Sequence, residues 1–128
     1  MKENIKIIET DHAPVAIGAY SQAVIAGDFM YISGQLGLNP ETMELSATLV
    51  GQAEQAIKNI KAIALSASVD LHNVVKTTVM LTNIMDFSII NNLYEKYFIR
   101  NFPARAVVEV SALPKGALVE IDAVVYLK

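Results

Sequence analysis

The sequence contains no cysteine, which excludes disulfides, thiolate nucleophiles and cysteine metal sites. Histidine is almost as scarce. His12 and His72 lie in polar stretches with no third group at ligand spacing, so both read as surface residues rather than metal ligands. No basic cluster occurs and the formal net charge is -3, which argues against a nucleic-acid backbone as the main ligand. No apolar run approaches the roughly 18 residues that a membrane span needs. The opening Met1-Lys2-Glu3-Asn4 lacks the apolar core of a signal peptide, so a cytoplasmic, soluble protein is expected. No composition shift, repeat or low-complexity segment divides the 128 residues, and a single domain over 1–128 is the expectation.

What is abundant is apolar surface. Apolar residues make up 53% of the chain and the mean hydropathy is +0.39. A chain of this size buries only about two-thirds of its unfolded surface. The surplus points to a homo-oligomer interface.

Periodicity gives the elements. Strands are predicted at 5–8, 22–25 and 29–33, the latter two joined by a turn at 26–28, with a Gly- and Pro-containing loop at 33–42. A helix is predicted from about 47 to 66, with Val50, Ala53, Ile57, Ile60 and Ala64 on its apolar stripe and Gln52, Glu54, Lys58 and Lys61 on a polar side. A strand follows at 73–81, with Val75, Thr77, Val79 and Leu81 on one face. Asp86 is predicted to N-cap a second helix whose stripe is Phe87, Ile90, Tyr94, Tyr97 and Phe98. The end reads as a hairpin around Pro114-Lys115. The order suggests an α+β fold with both helices on one face of a mixed sheet, leaving the other face largely apolar.

In that hairpin Arg105 stands among apolar neighbours. A guanidinium cannot be neutralised, and its planar fork suits a carboxylate, either the protein's own or a ligand's. The predicted register sets Glu109 opposite Glu120, an unfavourable like-charge pair. It also sets Arg105 about 13 Å along from Glu120, too far for a direct ion pair. Either a register irregularity joins them, or they meet a ligand or a neighbouring subunit from different directions. Solvent exposure alone would also explain Glu120. Tyr20 reads as a packing residue, and Ser33-Gly34 either as ordinary turn chemistry or as donors to an anion.

Several stretches together resemble one family, the RidA (YjgF) type of reactive imine/enamine deaminase. They are Ala13-Pro-Val-Ala-Ile-Gly-Ala-Tyr-Ser-Gln-Ala-Val24, Tyr31-Ile-Ser-Gly-Gln35, Asn39-Pro-Glu-Thr42, Val74-Val-Lys-Thr-Thr-Val79, Asp86-Phe87 with Asn91 and Tyr94, and Phe102-Pro-Ala-Arg-Ala-Val-Val-Glu-Val110 with Leu113-Pro114 and Val119-Glu-Ile121. The resemblance implies a chorismate-mutase-like domain in a homotrimer with a central barrel and clefts between subunits. It implies hydrolysis of 2-iminobutanoate and 2-iminopropanoate, products of pyridoxal-phosphate-dependent dehydratases, to 2-oxo acids and ammonia without a cofactor. Arg105 would grip the substrate carboxylate and Glu120 would orient the attacking water. Tyr20, Ser33, Gly34, Asn91 and Val107 would line the pocket.

The sequence departs from the family pattern at Ala19 (usually proline), Met43 and Ser68 (usually glycine) and Val107 (often cysteine). The resemblance also admits a 2-oxo-acid-binding regulatory module without turnover. A ribonuclease or translation inhibitor is the reading that the net acidity disfavours.

Overall fold

The computed structural model describes residues 4–128. Among these residues, elements follow in the order β1 (Ile5–Ile8), β2 (Ala23–Ala26), β3 (Phe29–Leu36), α1 (Leu49–Ser66), β4 (Val74–Leu81), α2 (Phe87–Tyr97), β5 (Ala104–Glu109) and β6 (Val119–Tyr126). The α+β class and the element order match the sequence reading. The strands form one mixed sheet in the order β1-β2-β3-β6-β4-β5, with β4 and β5 parallel and every other pair antiparallel.

The predicted C-terminal hairpin does not form. β4 lies between β5 and β6, pairing Thr77 with Arg105 on one side and Met80 with Glu120 on the other. Both ends of the 110–118 connection are tied to β4 instead: Val110 N–H donates to the Leu81 carbonyl at 2.8 Å, and Thr82 N–H to the Leu118 carbonyl at 3.2 Å. The Pro114–Gly116 segment is a 3-10 turn inside a longer crossing, with Lys115 at φ 59°, not the centre of a two-residue hairpin. Glu109 therefore does not face Glu120; it accepts a hydrogen bond from Ile84 N–H at 3.0 Å.

Alternation along the strands sends one face to the helices. Met30, Ile32, Thr77, Val79, Leu81, Val119, Ile121, Ala123 and Val125 are buried there with Ala53, Ala56, Ile57, Ile60 and Ile63 of α1 and Ile90, Leu93 and Tyr94 of α2. Two register shifts revise the sequence reading. One between Val74 and Lys76 buries Val74 and exposes Val75. The other falls between Ile32 and Gln35, so that β3 continues through Ser33-Gly34 to Leu36 where a loop was predicted. A bulge adds a residue without ending a strand, and period-2 counting cannot see it.

The helices also differ in detail from their patterns. Thr48 caps α1 by accepting from Gly51 N–H, but Val50 is exposed and Gln52 is buried. Gln52 accepts from Leu118 N–H at 2.8 Å and donates to the Ser46 carbonyl at 2.9 Å, which is how a polar residue on the inner stripe is accommodated. Asp86 occupies the N-cap position of α2 without a side-chain cap bond. A 3-10 turn at Ile84–Asp86 precedes it, capped by Asn83.

Met43 and Ser68, where the family favours glycine, adopt φ 60° and 64°, so both turns keep the left-handed conformation with a side chain in place. Such a residue costs about 1 kcal/mol relative to glycine. Ser68→Gly is expected to raise the thermal midpoint by roughly 4 °C, as checked by calorimetry.

The face away from the helices is uncovered in the single chain. Ile7, Tyr31 and Val108 lie on it about half exposed, as do Phe29 and Tyr126, whose rings meet at 5.4 Å.

Candidate functional site

The seven site residues named from the sequence separate into two groups. The first surrounds Glu120. Its register partners are Leu36 on β3 and Met80 on β4, so its carboxylate stands on the sheet face away from the helices. The β3 bulge brings Gly34 beneath it: a Cβ at Gly34 would fall 2.5 Å from Glu120 Oε2. Glycine there leaves the space that the carboxylate occupies, and a larger residue would have to displace it.

Tyr20, Gln22, Ser33, Gly34, Leu36 and Glu120 share one cleft of about 420 Å³, completed by the Pro14–Ile17 loop and by Pro114-Lys115. Among the described residues the Glu120 carboxylate has no ion-pair partner. Burial, followed by the nearby Asp122 charge, pushes its carboxyl above the ordinary carboxylate value. A carboxyl raised in this way holds its proton more readily than an exposed one and is suited to proton exchange with a bound water or substrate.

The wall of this cleft is held by a residue the sequence reading passed over. Gln22 is buried; its Oε1 accepts from Thr10 N–H at 2.7 Å, and its Nε2 donates to the carbonyls of Thr10, Ala13 and Pro14 at 3.0, 3.3 and 2.8 Å. One amide thus fastens the loop leading to Tyr20. The Tyr20 hydroxyl accepts from Ile17 N–H at 3.2 Å, which leaves its proton free to donate. Ser33 is less available than expected. Its hydroxyl donates to the Ser21 carbonyl at 2.6 Å and its N–H to the Gln22 carbonyl at 2.9 Å, so its remaining capacity is as an acceptor.

The second group surrounds Arg105. Register with Thr77 places its side chain on the helix-bearing face, where it lines a cleft of about 400 Å³ with Asn91, Tyr94, Glu95, Phe102 and Pro103. Its guanidinium carbon lies 4.9 Å from the centre of the Tyr94 ring and 5.1 Å from that of Phe87. Among the described residues it makes no ion pair. Val107, two residues on, packs half-buried against the core. Burial raises the Tyr94 phenol above its usual value, opposed by its bond to Thr77 and by the Arg105 charge.

Arg105 and Glu120 therefore lie on opposite faces of one sheet, and a single chain does not bring them together. His12 and His72 are exposed, as read from the sequence. Among the described residues no helix is long and apolar enough to cross a membrane.

A family model described as endoribonuclease L-PSP matches residues 10–127. The human 2-iminobutanoate/2-iminopropanoate deaminase is 50% identical over 120 residues, covering 93% of this chain and 88% of the human protein. The crystal structure of RidA from the Antarctic bacterium Psychrobacter sp. PAMC 21119 superposes with a TM-score of 0.92 at 50% identity, covering 94% of this chain and 98% of that one. E. coli TdcF, solved with bound serine, gives a TM-score of 0.91 at 39% identity, covering 94% of this chain and 98% of that one. With matches of this extent at both the sequence and the structural level, the chain belongs to the RidA family.

Proposed function

We propose that this protein hydrolyses small 2-imino acids such as 2-iminobutanoate and 2-iminopropanoate to 2-oxo acids and ammonia, as a homotrimer. The observation that carries the reading is the split site: a guanidinium with no ion-pair partner among the described residues, and a carboxylate without one on the other face of the sheet. The uncovered apolar face supports apposition of two copies, which would set Arg105 of one against the Glu120 cleft of the next. The human relative's name, and the serine bound to TdcF, support a small amino-acid-derived carboxylate as ligand.

The chemistry such a site would perform is modest. The Arg105 fork holds the substrate carboxylate in a bidentate pair. Glu120 accepts a proton from water as its oxygen bonds to the imine carbon. The C=N bond becomes a C–N single bond in a carbinolamine. Glu120 returns that proton to the nitrogen, completing the neutral carbinolamine. It then takes the carbinolamine hydroxyl proton and passes it to the same nitrogen as the C–N bond breaks, so that the C=O of the 2-oxo acid forms and ammonia leaves. Tyr20 can donate its free proton to water or substrate.

The test couples the protein to a pyridoxal-phosphate-dependent threonine dehydratase and follows 2-oxobutanoate formation. Acceleration over the spontaneous rate is expected. Binding of 2-oxobutanoate with no acceleration would replace the enzyme reading with a ligand-sensing one.

Glu120→Gln should lower kcat about a hundredfold. In the wild type the acidic limb of the pH–rate profile should lie above the ordinary carboxylate range, and this limb should vanish in the variant. The stability effect has the opposite sign. Because the folded-state pKa is raised, Glu120's contribution to folding is fully present below its unfolded value and is lost as pH rises through the folded value. The glutamine variant should therefore melt at or above wild type at neutral pH, with the difference vanishing in acid.

Gly34→Ala should leave the melting temperature nearly unchanged, since the carboxylate end is flexible. It should still reduce kcat at least tenfold by displacing that carboxylate.

A further inference from the structure

We infer that Phe87, Tyr94 and Thr77 form a positioning device that aims the Arg105 guanidinium while leaving its N–H donors free for a ligand carboxylate. The inference rests on the proposed role of Arg105 as a carboxylate clamp and extends it to the residues that orient the guanidinium.

A half-buried arginine is ordinarily oriented by a carboxylate, and that partner then competes with any incoming anion. Here the nearest carboxylate on the same strand face, Glu109, is engaged by Ile84 N–H. Glu95 borders the cleft without pairing to Arg105. The orienting groups are aromatic. Phe87 and Tyr94 are seven residues apart, two turns of α2, and so project from one side of it about 10 Å apart along the axis. The guanidinium carbon sits midway, 5.1 Å from one ring centre and 4.9 Å from the other. Attraction to ring faces orients the cation without consuming a donor.

The Tyr94 ring is itself fixed. It is 3% exposed, packs against Phe98 at 4.8 Å, and its hydroxyl shares a 2.6 Å hydrogen bond with Thr77 Oγ1 in the buried interior. Thr77 is the register partner of Arg105 across the β4–β5 ladder. The strand pairing that sets the Arg105 backbone therefore also places the hydroxyl that pins the ring. Backbone, hydroxyl, ring and guanidinium close a circuit, which fixes the direction of the fork before any ligand arrives.

The test measures kcat, KM and the calorimetric Kd of 2-oxobutanoate for wild type, Thr77→Val, Thr77→Ser, Phe87→Leu and Arg105→Ala. Thr77→Val keeps the shape and removes the hydroxyl. It should raise KM and Kd about five- to tenfold with kcat within about twofold, and Thr77→Ser should restore both. Phe87 is partly exposed, so Phe87→Leu should fold normally and raise KM and Kd similarly.

If Thr77→Val and Phe87→Leu both leave Kd unchanged while Arg105→Ala weakens it, the positioning device is refuted and the clamp stands. An equal loss in Thr77→Val and Thr77→Ser would also overturn the device, since the hydroxyl would not be its cause. If Arg105→Ala itself binds 2-oxobutanoate normally, the proposed clamp fails first.

Discussion

Arg105→Ala is expected to lower kcat/KM for 2-iminobutanoate by roughly 30- to 700-fold, with the melting temperature nearly unchanged. The magnitude follows from losing one partner of a desolvated, charge-assisted pair, about 2–4 kcal/mol at about 1.4 kcal/mol per decade. Stability is spared because the guanidinium has no ion-pair partner among the described residues, so its removal orphans no buried carboxylate. Coupled-assay kinetics beside a thermal melt check both halves of the expectation. Arg105→Lys should recover little of the loss, since a point charge cannot reproduce the planar fork. Full activity in the alanine variant would remove the clamp from the mechanism.

Tyr31→Glu is expected to dissociate the proposed homotrimer and with it to abolish turnover at low protein concentration. Tyr31 is 50% exposed in the single chain, so the substitution costs the subunit little. Against a second copy it would bury an unpaired carboxylate, at several kcal/mol per subunit. Because Arg105 and Glu120 lie on opposite faces, a folded monomer would retain both side chains and still lack a complete site. Sedimentation should show the mass of one chain in place of three, with unchanged circular dichroism. A variant that dissociates yet turns over at the wild-type rate would contradict the split-site reading. Salt should not rescue it, because the repulsion is desolvation rather than screened surface charge.

The sequence disclosed most of the fold. Helical spacing located α1 and α2 because their buried stripes, Ala53-Ile57-Ile60-Ala64 and Ile90-Tyr94, are regular. Alternation located the strands but missed the bulges. At Val74/Lys76 it set Val75 on the inner face in place of Val74, while Thr77, Val79 and Leu81 are buried as read. At Ile32/Gln35 it ended β3 early. The larger miss was topological. Sequence adjacency of β5 and β6 suggested a hairpin, and nothing local reveals that β4 intervenes; that order is set by long-range burial of Val79, Leu81, Val119 and Ile121.

The site was partly legible. Arg105 and Glu120 drew attention as charges among apolar residues, and the spacing argument against a direct bond holds, though the reason is opposite faces rather than distance along a ladder. Gln22 and Thr77 were not legible as site residues. Their importance lies in what they fasten, and a buried amide or hydroxyl leaves no periodic signature.

The strand order has a consequence for synthesis. β6 is the seam between a β1-β2-β3 half, which carries Tyr20 and Gly34, and a β4-β5 half, which carries Arg105. A ribosome delivers that seam after both halves. Any chain stopping before residue 119 thus presents two half-sheets with open, mutually complementary edges. Stalled or truncated products should cross-pair between molecules, so quality control of this protein falls on its final strand.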